Sequence, residues 1–179
     1  LDYLKKNMKI KILPFLLIIF FFLIFIIFYK GLKNTNSYTP VTNFEKEIPN
    51  FSANLFDKEI QINSNEIFKG DKFYLLNVWS SWCAPCRKEH IFLLNLSKND
   101  NLNVIGLNYK DKKKNAKKFL SELDNPYSII ILDEDGTLAI EWGAFGVPES
   151  FLIYKKKILK KFVGPLNQKS ASEIREFIK

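Results

Sequence analysis

The sequence predicts an α/β fold, a mixed central sheet with helices on both faces, placed after one N-terminal transmembrane helix. Three observations predict it. A long uncharged apolar run stands near the N-terminus, strand-like and helix-like runs then alternate, and a hairpin followed by an amphipathic run closes the chain. This order places parallel strands and antiparallel strands in one sheet.

Length, composition and charge restrict the class of protein. A chain of 179 residues suits one domain with a modest core. Apolar residues make up 47% and aromatic residues 15% of it, which excludes disordered and collagen-like classes. Six Lys and one Asp in residues 1–33 contribute +5 of the net charge of +8. Because the basic excess lies mostly around the apolar run, a nucleic-acid partner is not expected.

The apolar run from Ile12 to Tyr29 holds 18 consecutive uncharged residues. As a helix it would be about 27 Å long, which matches a bilayer hydrocarbon core of roughly 30 Å. Pro14 would fall in the first turn, where a missing N–H is tolerated. The lysines before the run favour a cytoplasmic N-terminus. A retained signal anchor is favoured over a cleavable signal peptide, because the run exceeds an h-region and no Ala-x-Ala site follows it.

The chain is expected to divide into four parts, a short cytoplasmic N-terminus, the membrane anchor, a polar turn-rich linker and the folded domain, at 1–11, 12–30, 31–47 and 48–179. The sequence begins with Leu1 and its only methionine is Met8. Translation is therefore expected to start at Met8 or at a non-standard codon.

The first half of the domain predicts alternating strands and helices. Phe73–Trp79 is an apolar, β-favouring run bounded by turn residues, which predicts a central strand buried on both faces. Pro85 suits the first turn of a helix that ends near Leu96, and Leu102–Tyr109 predicts a second buried strand. The basic amphipathic run Lys112–Leu123 predicts another helix.

The second half predicts three more strands and a last helix. One β-branched run is followed by two runs that form a hairpin around three lysines, and these strands are Ser128–Leu132, Phe151–Tyr154 and Ile158–Val163. Ser170 and Glu173 have capping-box spacing, which predicts a helix that starts there and reaches Ile178.

The Cys-Ala-Pro-Cys motif of residues 83–86 lies between the central strand and the helix that follows it. Because a helix N-terminus stabilises an anion, Cys83 is expected to be an exposed thiolate that attacks disulfides. Cys86, one turn deeper on the same face, is expected to resolve the mixed disulfide. Arg87 and Lys88 either add a local positive field or are ordinary surface charges. No cofactor is expected beyond this redox-active dithiol.

The motif has three alternative interpretations. An inert structural disulfide is disfavoured, because a four-residue loop stabilises little. A c-type haem attachment requires His directly after the second Cys, where Arg87 stands, and is excluded. A zinc site from Cys83, Cys86 and His90 would lack a second Cys pair, so no metal is expected. His90 is favoured as a packing residue over a ligand or base.

Four segments together resemble the membrane-anchored thiol:disulfide interchange proteins of cytochrome c maturation, the DsbE/CcmG family, which have a thioredoxin-like fold. They are Leu75-Leu-Asn-Val-Trp-Ser-Ser-Trp-Cys-Ala-Pro-Cys-Arg-Lys-Glu-His90, Val104-Ile-Gly-Leu-Asn-Tyr-Lys-Asp111, Asn125-Pro-Tyr127 and Gly143-Ala-Phe-Gly-Val-Pro-Glu-Ser150. The Cys pair alone indicates only a thioredoxin-like oxidoreductase, whereas the other segments are more selective. The resemblance covers nearly all of residues 44–179.

The resemblance implies a substrate-binding edge. Pro148 matches the family's cis-proline, and the Val147–Pro148 backbone is expected to face the Cys pair, where a substrate chain can join it by strand-like hydrogen bonds. Trp82 flanks Cys83 and is expected to shield it. Glu149 resembles an acidic residue beside the active-site groove, which either selects basic or polar substrates or caps a turn.

Glu89 is expected to accept the proton of Cys86. It lies at i+3 from that cysteine and at the border of the inward helix face, where burial should raise the pKa of its carboxyl. The alternative is a solvated helix residue. Asn77 stands where thioredoxins usually have a buried Asp, and Asn cannot titrate, so another carboxylate is needed.

The resemblance implies a reductase of the periplasm, anchored in a bacterial inner membrane, that reduces the haem-binding cysteines of apocytochrome c or acts on another haem-ligation component. A membrane thiol-relay protein of the DsbD or CcdA type would resupply its electrons. Two rivals stay open. One is a general extracytoplasmic reductase or oxidase of the same fold, and the other is a module that binds apocytochrome c without turnover.

Overall fold

The structure is a computed structural model that describes residues 2–33, with side chains from 14 to 30, and residues 46–179. The described chain forms two units, an N-terminal helix and a C-terminal domain. The helix, α1, spans Asp2–Lys33. Among the residues described, no helix combines the length and the hydropathy that a membrane crossing requires.

The domain alternates short and long elements. Its strands are β1 to β8, in order Lys46–Glu47, Ser52–Asn54, Gln61–Asn63, Phe73–Trp79, Leu102–Tyr109, Ile129–Asp133, Glu149–Tyr154 and Lys157–Val163. Its helices are α2 to α6, in order Ser64–Ile67, Ala84–Leu96, Lys113–Leu123, Thr137–Glu141 and Gln168–Phe177.

Six of the described strands form one mixed sheet in the order β1-β8-β7-β4-β5-β6. The strands β4, β5 and β6 are parallel, whereas β7 is antiparallel to β4 and β8 is antiparallel to β7. Helix α3 connects β4 to β5, and α4 connects β5 to β6. Parallel neighbours need such a crossover, which is usually a helix. The predicted mixed sheet is therefore confirmed, and β4 lies at its centre.

The sheet separates two hydrophobic clusters, because side chains alternate along each strand. Leu75 and Trp79 of β4 belong to one cluster, together with residues of α3, α4 and α6. Leu76 and Val78 belong to the other, which includes Phe51, Phe68 and Trp142. Both faces of β4 are thus buried, as its uninterrupted apolar sequence predicts.

Several predicted boundaries differ from those found. The N-terminal helix begins ten residues before the expected anchor, so Pro14 lies inside it and not in its first turn. Strand β1 occupies the last two positions of the expected linker, because Lys46 and Glu47 pair with β8. The linker residues 34–45 lie outside the described residues.

The last helix starts earlier than predicted. Its N-cap is Asn167, whose side chain accepts hydrogen bonds from the N–H groups of Lys169 and Ser170. Ser170 is the third helical residue, and its hydroxyl completes the capping box by accepting a hydrogen bond from the N–H of Asn167. A capping box is therefore present, but three residues earlier than the sequence analysis placed it.

Candidate active site

The Cys pair lies where the central strand passes into α3. Cys83 is the N-cap of this helix, and its Sγ accepts a hydrogen bond from the N–H of Cys86 at 3.1 Å. The residue after Ala84 is Pro85, which suits a first helical turn because its missing N–H would have no partner there. The two sulfurs form a disulfide with an S–S distance of 2.09 Å. The predicted placement at a helix N-terminus is confirmed.

Cys83 is less exposed than the sequence analysis expects. In the disulfide form its residue is 4% exposed and Cys86 is 2% exposed. Both cysteines belong to the same hydrophobic cluster as Leu75 and Trp79, which explains the burial. Trp82, by contrast, is 58% exposed, and its Nε1 donates a hydrogen bond to the Lys110 carbonyl at 3.0 Å. An exposed aromatic side chain thus stands beside a shielded disulfide.

The turn before the Cys pair is held by Asp111, which follows β5. Its two carboxylate oxygens accept hydrogen bonds from the Ser81 N–H at 2.6 Å and from the Ser81 hydroxyl at 2.7 Å. Asn108 donates to the same carboxylate at 3.1 Å. Sequence reasoning assigned Asp111 no role, although it ends the Asn-Tyr-Lys-Asp segment. It fixes the segment that presents Cys83.

The Val147–Pro148 peptide bond is cis, as expected. Glu149 pairs with Val78 near the end of β4. Val147 and Pro148, which precede Glu149, therefore lie beside the turn that leads to Cys83. Within the described chain, no hydrogen bond involves the main-chain N–H or C=O of Val147. An extended substrate chain could therefore pair with this edge.

Glu89 is fully buried, and both of its carboxylate oxygens accept hydrogen bonds. Asn77 Nδ2 donates to Oε1 at 2.9 Å, and the N–H of Leu166 donates to Oε2 at 2.7 Å. Burial raises the pKa of Glu89 from its ordinary value of 4.5 to about 7, although the two hydrogen bonds oppose that rise. The expected inward position and raised pKa are confirmed, and the solvated alternative is wrong.

A buried polar network surrounds this carboxyl. Asn77 also donates to the Ser150 hydroxyl at 3.0 Å, and its Oδ1 accepts a hydrogen bond from the Tyr127 hydroxyl at 2.9 Å. Burial, with a smaller contribution from the charge of Glu89, raises the pKa of Tyr127 well above its ordinary value. Tyr127 and Ser150 lie in the segments that carry the resemblance, but nothing in the sequence predicts their hydrogen bonds to Asn77.

Glu149 is enclosed by the protein. Its residue is 2% exposed, its Oε1 accepts a hydrogen bond from the Phe145 N–H at 3.0 Å, and its Oε2 lies 2.7 Å from the ammonium of Lys161. The expectation that it selects basic or polar substrates is not supported, because its carboxylate is enclosed. The alternative of an internal role in the turn agrees with these contacts.

His90 and Arg87 make contacts typical of packing and surface residues. His90 is buried, its Nε2 lies 2.8 Å from the Asp124 carbonyl, and its ring packs edge-on against Phe119, so the packing interpretation is confirmed. Arg87 forms an exposed ion pair with Glu122 at 3.2 Å, as ordinary surface charges do. Among the described residues, no three His, Cys, Asp or Glu side chains come together as metal ligands.

A thioredoxin-like sheet with a redox-active Cys pair at a helix N-terminus and a cis-proline edge beside it defines a thiol–disulfide oxidoreductase. Comparison with known proteins agrees. A profile of the redoxin family matches residues 44–178. The thiol:disulfide interchange protein DsbE of Escherichia coli K12 is 37% identical over 166 residues, which are 89% of each chain. The chain belongs to the redoxin family, as one of its DsbE-type thiol:disulfide interchange proteins.

A further relative and a solved structure are also similar to this chain. The thiol:disulfide interchange protein CycY of Rhizobium leguminosarum bv. viciae is 48% identical over 103 residues, which are 57% of this chain and 55% of that protein. The match therefore spans about half of CycY. A DsbF homologue from Corynebacterium diphtheriae has a TM-score of 0.66 at 21% identity and covers 78% of this chain and 94% of its own. At that identity the likeness supports the fold.

Proposed function

We propose that this protein is a membrane-anchored reductant outside the cytoplasm that reduces the haem-binding cysteines of apocytochrome c during cytochrome c maturation. The single observation that carries the proposal is the Cys83–Cys86 pair beside Val147, whose main-chain N–H and C=O have no hydrogen-bond partner among the described residues. Such an edge suits an extended protein chain better than a small molecule. The resemblance to the DsbE/CcmG family supports the cytochrome substrate.

The chemistry is two-electron thiol–disulfide exchange. The Cys83 thiolate attacks one sulfur of the substrate disulfide, forms a mixed disulfide and releases the other substrate sulfur as a thiolate, which takes up a proton. Cys86 then attacks the Cys83 sulfur, which forms the enzyme disulfide and releases the second substrate sulfur as a thiolate that also takes up a proton. Glu89 accepts the Cys86 proton in this step, because a carboxyl with a pKa of about 7 is partly ionised at neutral pH. The substrate gains two electrons and two protons.

Two properties of the chain support the membrane location. The uncharged run of residues 12–29 lies within the helical range Asp2–Lys33. The apolar side chains from Phe15 to Phe28 on that helix are mostly exposed. An inner-membrane signal anchor with the domain in the periplasm accounts for both. After membrane isolation, an alkaline carbonate wash that released the full chain would contradict the anchor.

One turnover uses both thiols, so the enzyme disulfide must be reduced again. A membrane thiol-relay donor of the DsbD or CcdA type is the proposed source of electrons. Redox titration of the Cys83–Cys86 pair distinguishes a protein that reduces its substrates from one that oxidises them. A potential near roughly −270 mV supports a reductant, whereas one near roughly −120 mV supports an oxidant of the same fold.

Trapping tests the substrate. Cys86→Ser should keep its substrate as a mixed disulfide through Cys83, because no resolving thiol is left, and mass spectrometry of the adduct identifies the protein bound. Cys83→Ser is the matched control and should trap far less. Adducts with unrelated proteins would favour a general reductase. Normal cytochrome assembly in a deletion strain that expresses Cys83→Ala would favour a binding module without turnover.

A further inference from the structure

Lys161 is a lysine in an unusual place. It lies in β8 opposite Phe151 of β7, and its side chain is 4% exposed. Lysine is among the residues least often fully buried, unless its charge is paired. Its ammonium lies 2.7 Å from Oε2 of Glu149, whose side chain is 3% exposed. Glu149 of β7, which directly follows the cis-proline, and Lys161 of β8 therefore form a buried ion pair.

The ammonium joins the two ends of one segment, Gly143–Glu149, which we name the docking segment. At one end its Nζ donates a hydrogen bond to the Gly143 carbonyl at 2.6 Å. At the other it pairs with Glu149 without hydrogen-bond geometry. Inside the segment, the Phe145 ring centroid lies 4.3 Å from Nζ, and the Phe145 N–H donates to Glu149 Oε1. Every one of these contacts restrains the chain that contains Val147 and Pro148.

The pair acts from the side of the sheet away from the cysteines. Ser150 bonds Asn77 in the network of Glu89, which belongs to the same helix as the Cys pair. Glu149 and Phe151 point to the opposite face because strand side chains alternate. Lys161 therefore contacts the docking segment and not the sulfurs.

Fold stability explains the ion pair poorly. Burying two charges removes them from water, and apolar residues of similar volume often give equal or greater stability. What an ammonium gives that an apolar side chain cannot is simultaneous attraction to a carbonyl, a carboxylate and a ring face at fixed positions. That combination fixes a loop conformation.

We propose that Lys161 is a positioning residue that fixes the docking segment so that the Val147–Pro148 edge can pair with a substrate chain. This inference rests on the proposed function, because it concerns how that edge binds a protein disulfide. A small disulfide does not need the edge. The inference therefore predicts that loss of the ammonium affects protein-like substrates and spares small ones.

The test uses the full chain with Glu149→Gln and Lys161→Met together, since the double change removes both charges and leaves none of them buried alone. Reduction of an oxidised Cys-x-x-Cys-His peptide and of bis(2-hydroxyethyl) disulfide is followed under single-turnover conditions. We expect the half-saturating peptide concentration to rise about tenfold, with the limiting rate and the small-disulfide rate changed less than twofold. The single variant Lys161→Arg, with Glu149 kept, should bind the peptide as the wild type does, since a guanidinium can bridge the same oxygens.

Lys160→Met is the matched control, because Lys160 pairs with Glu173 and lies outside the docking segment. It should leave both reactions unchanged. Unchanged peptide saturation in the double variant overturns the inference. An equal loss with both disulfides also overturns it, since that result indicates general damage. A wild-type protein that reduces neither disulfide overturns the proposed function, and the inference with it.

Discussion

Glu89 is chemically distinct from an ordinary helix carboxylate, because it is fully buried while both oxygens accept hydrogen bonds. Burial disfavours its charged form more than the two donors favour it, so its pKa rises to about 7. In the folded protein this group therefore binds a proton between pH 4.5 and 7 that the unfolded chain releases. By linkage, its contribution to the free energy of unfolding falls as pH rises through that window.

Glu89→Gln should remove this pH dependence. A shift from 4.5 to about 7 corresponds to on the order of 3 kcal/mol, lost by the wild type between those pH values. The free energy of unfolding, measured with urea from pH 4 to 8, should fall more steeply with pH for the wild type than for the variant. Parallel curves would contradict the raised pKa.

The same variant tests the proposed catalytic role. With Glu89 present, the rate of the Cys86 step should rise with pH near 7 as the carboxylate forms and can accept the proton. With Gln at this position, that rise should disappear. Glu122→Gln is a suitable control, because Glu122 is an exposed carboxylate on α4. An unchanged pH profile in Glu89→Gln would leave water as the acceptor.

The residues of the site differ in how far the sequence predicts them. Cys83, Cys86 and Pro148 are predicted in their positions, since a spaced motif and a resemblance identify them. The partners of Glu89 are not predicted, because Asn77 and Leu166 lie on other parts of the fold. Leu166 contributes only a main-chain N–H, which no side-chain pattern reveals. Lys161 has no comparable signal in the sequence, because β8 also contains Lys157 and Lys160.

At the scale of elements, the long periodic runs agree with the structure to within about two residues at most boundaries. The short elements β1, β2, β3, α2 and α5 were not predicted, because two to five residues carry too little periodicity. One signal for α2 was present, since Asn63 and Glu66 form a capping box. For α5 the N-cap is Gly136, and the buried Asp133 accepts hydrogen bonds from the first turn instead.

The cap of α6 allows a direct test at this scale. Asn167→Ala should cost about 1 kcal/mol in the free energy of unfolding, because two N–H groups of the first turn lose their acceptor. Asn167→Ser keeps a capping oxygen and should cost much less. Urea unfolding at pH 7 measures both variants. Equal stability of Asn167→Ala and wild type would contradict the assigned cap.

At the scale of the whole molecule, the domain has its own core. Among the described residues, the buried members of both hydrophobic clusters lie between Ile48 and Ile178. Each cluster covers one face of the sheet, so residues 46–179 supply both sides of this core. The domain is therefore expected to fold without residues 1–33.

A protein that starts at residue 44 should fold and react as the full chain does. Its far-UV circular dichroism per domain residue, unfolding midpoint and rate with bis(2-hydroxyethyl) disulfide should match those of the full chain in detergent. The reason is that the sheet, both clusters and the Cys pair lie within residues 46–179. Aggregation or a midpoint much lower than that of the full chain would contradict an independent domain.

The hydrogen bond from the Leu166 N–H links Glu89, the proposed proton acceptor, to the segment before α6, far along the chain from both cysteines. When the carboxyl gains a proton, its oxygen becomes a weaker acceptor, and this amide must respond. In an ¹⁵N-labelled sample, the chemical shift of Leu166 should therefore titrate with the ionisation of Glu89. That shift would report directly on the protonation of Glu89, and so on the proton transfer proposed for it.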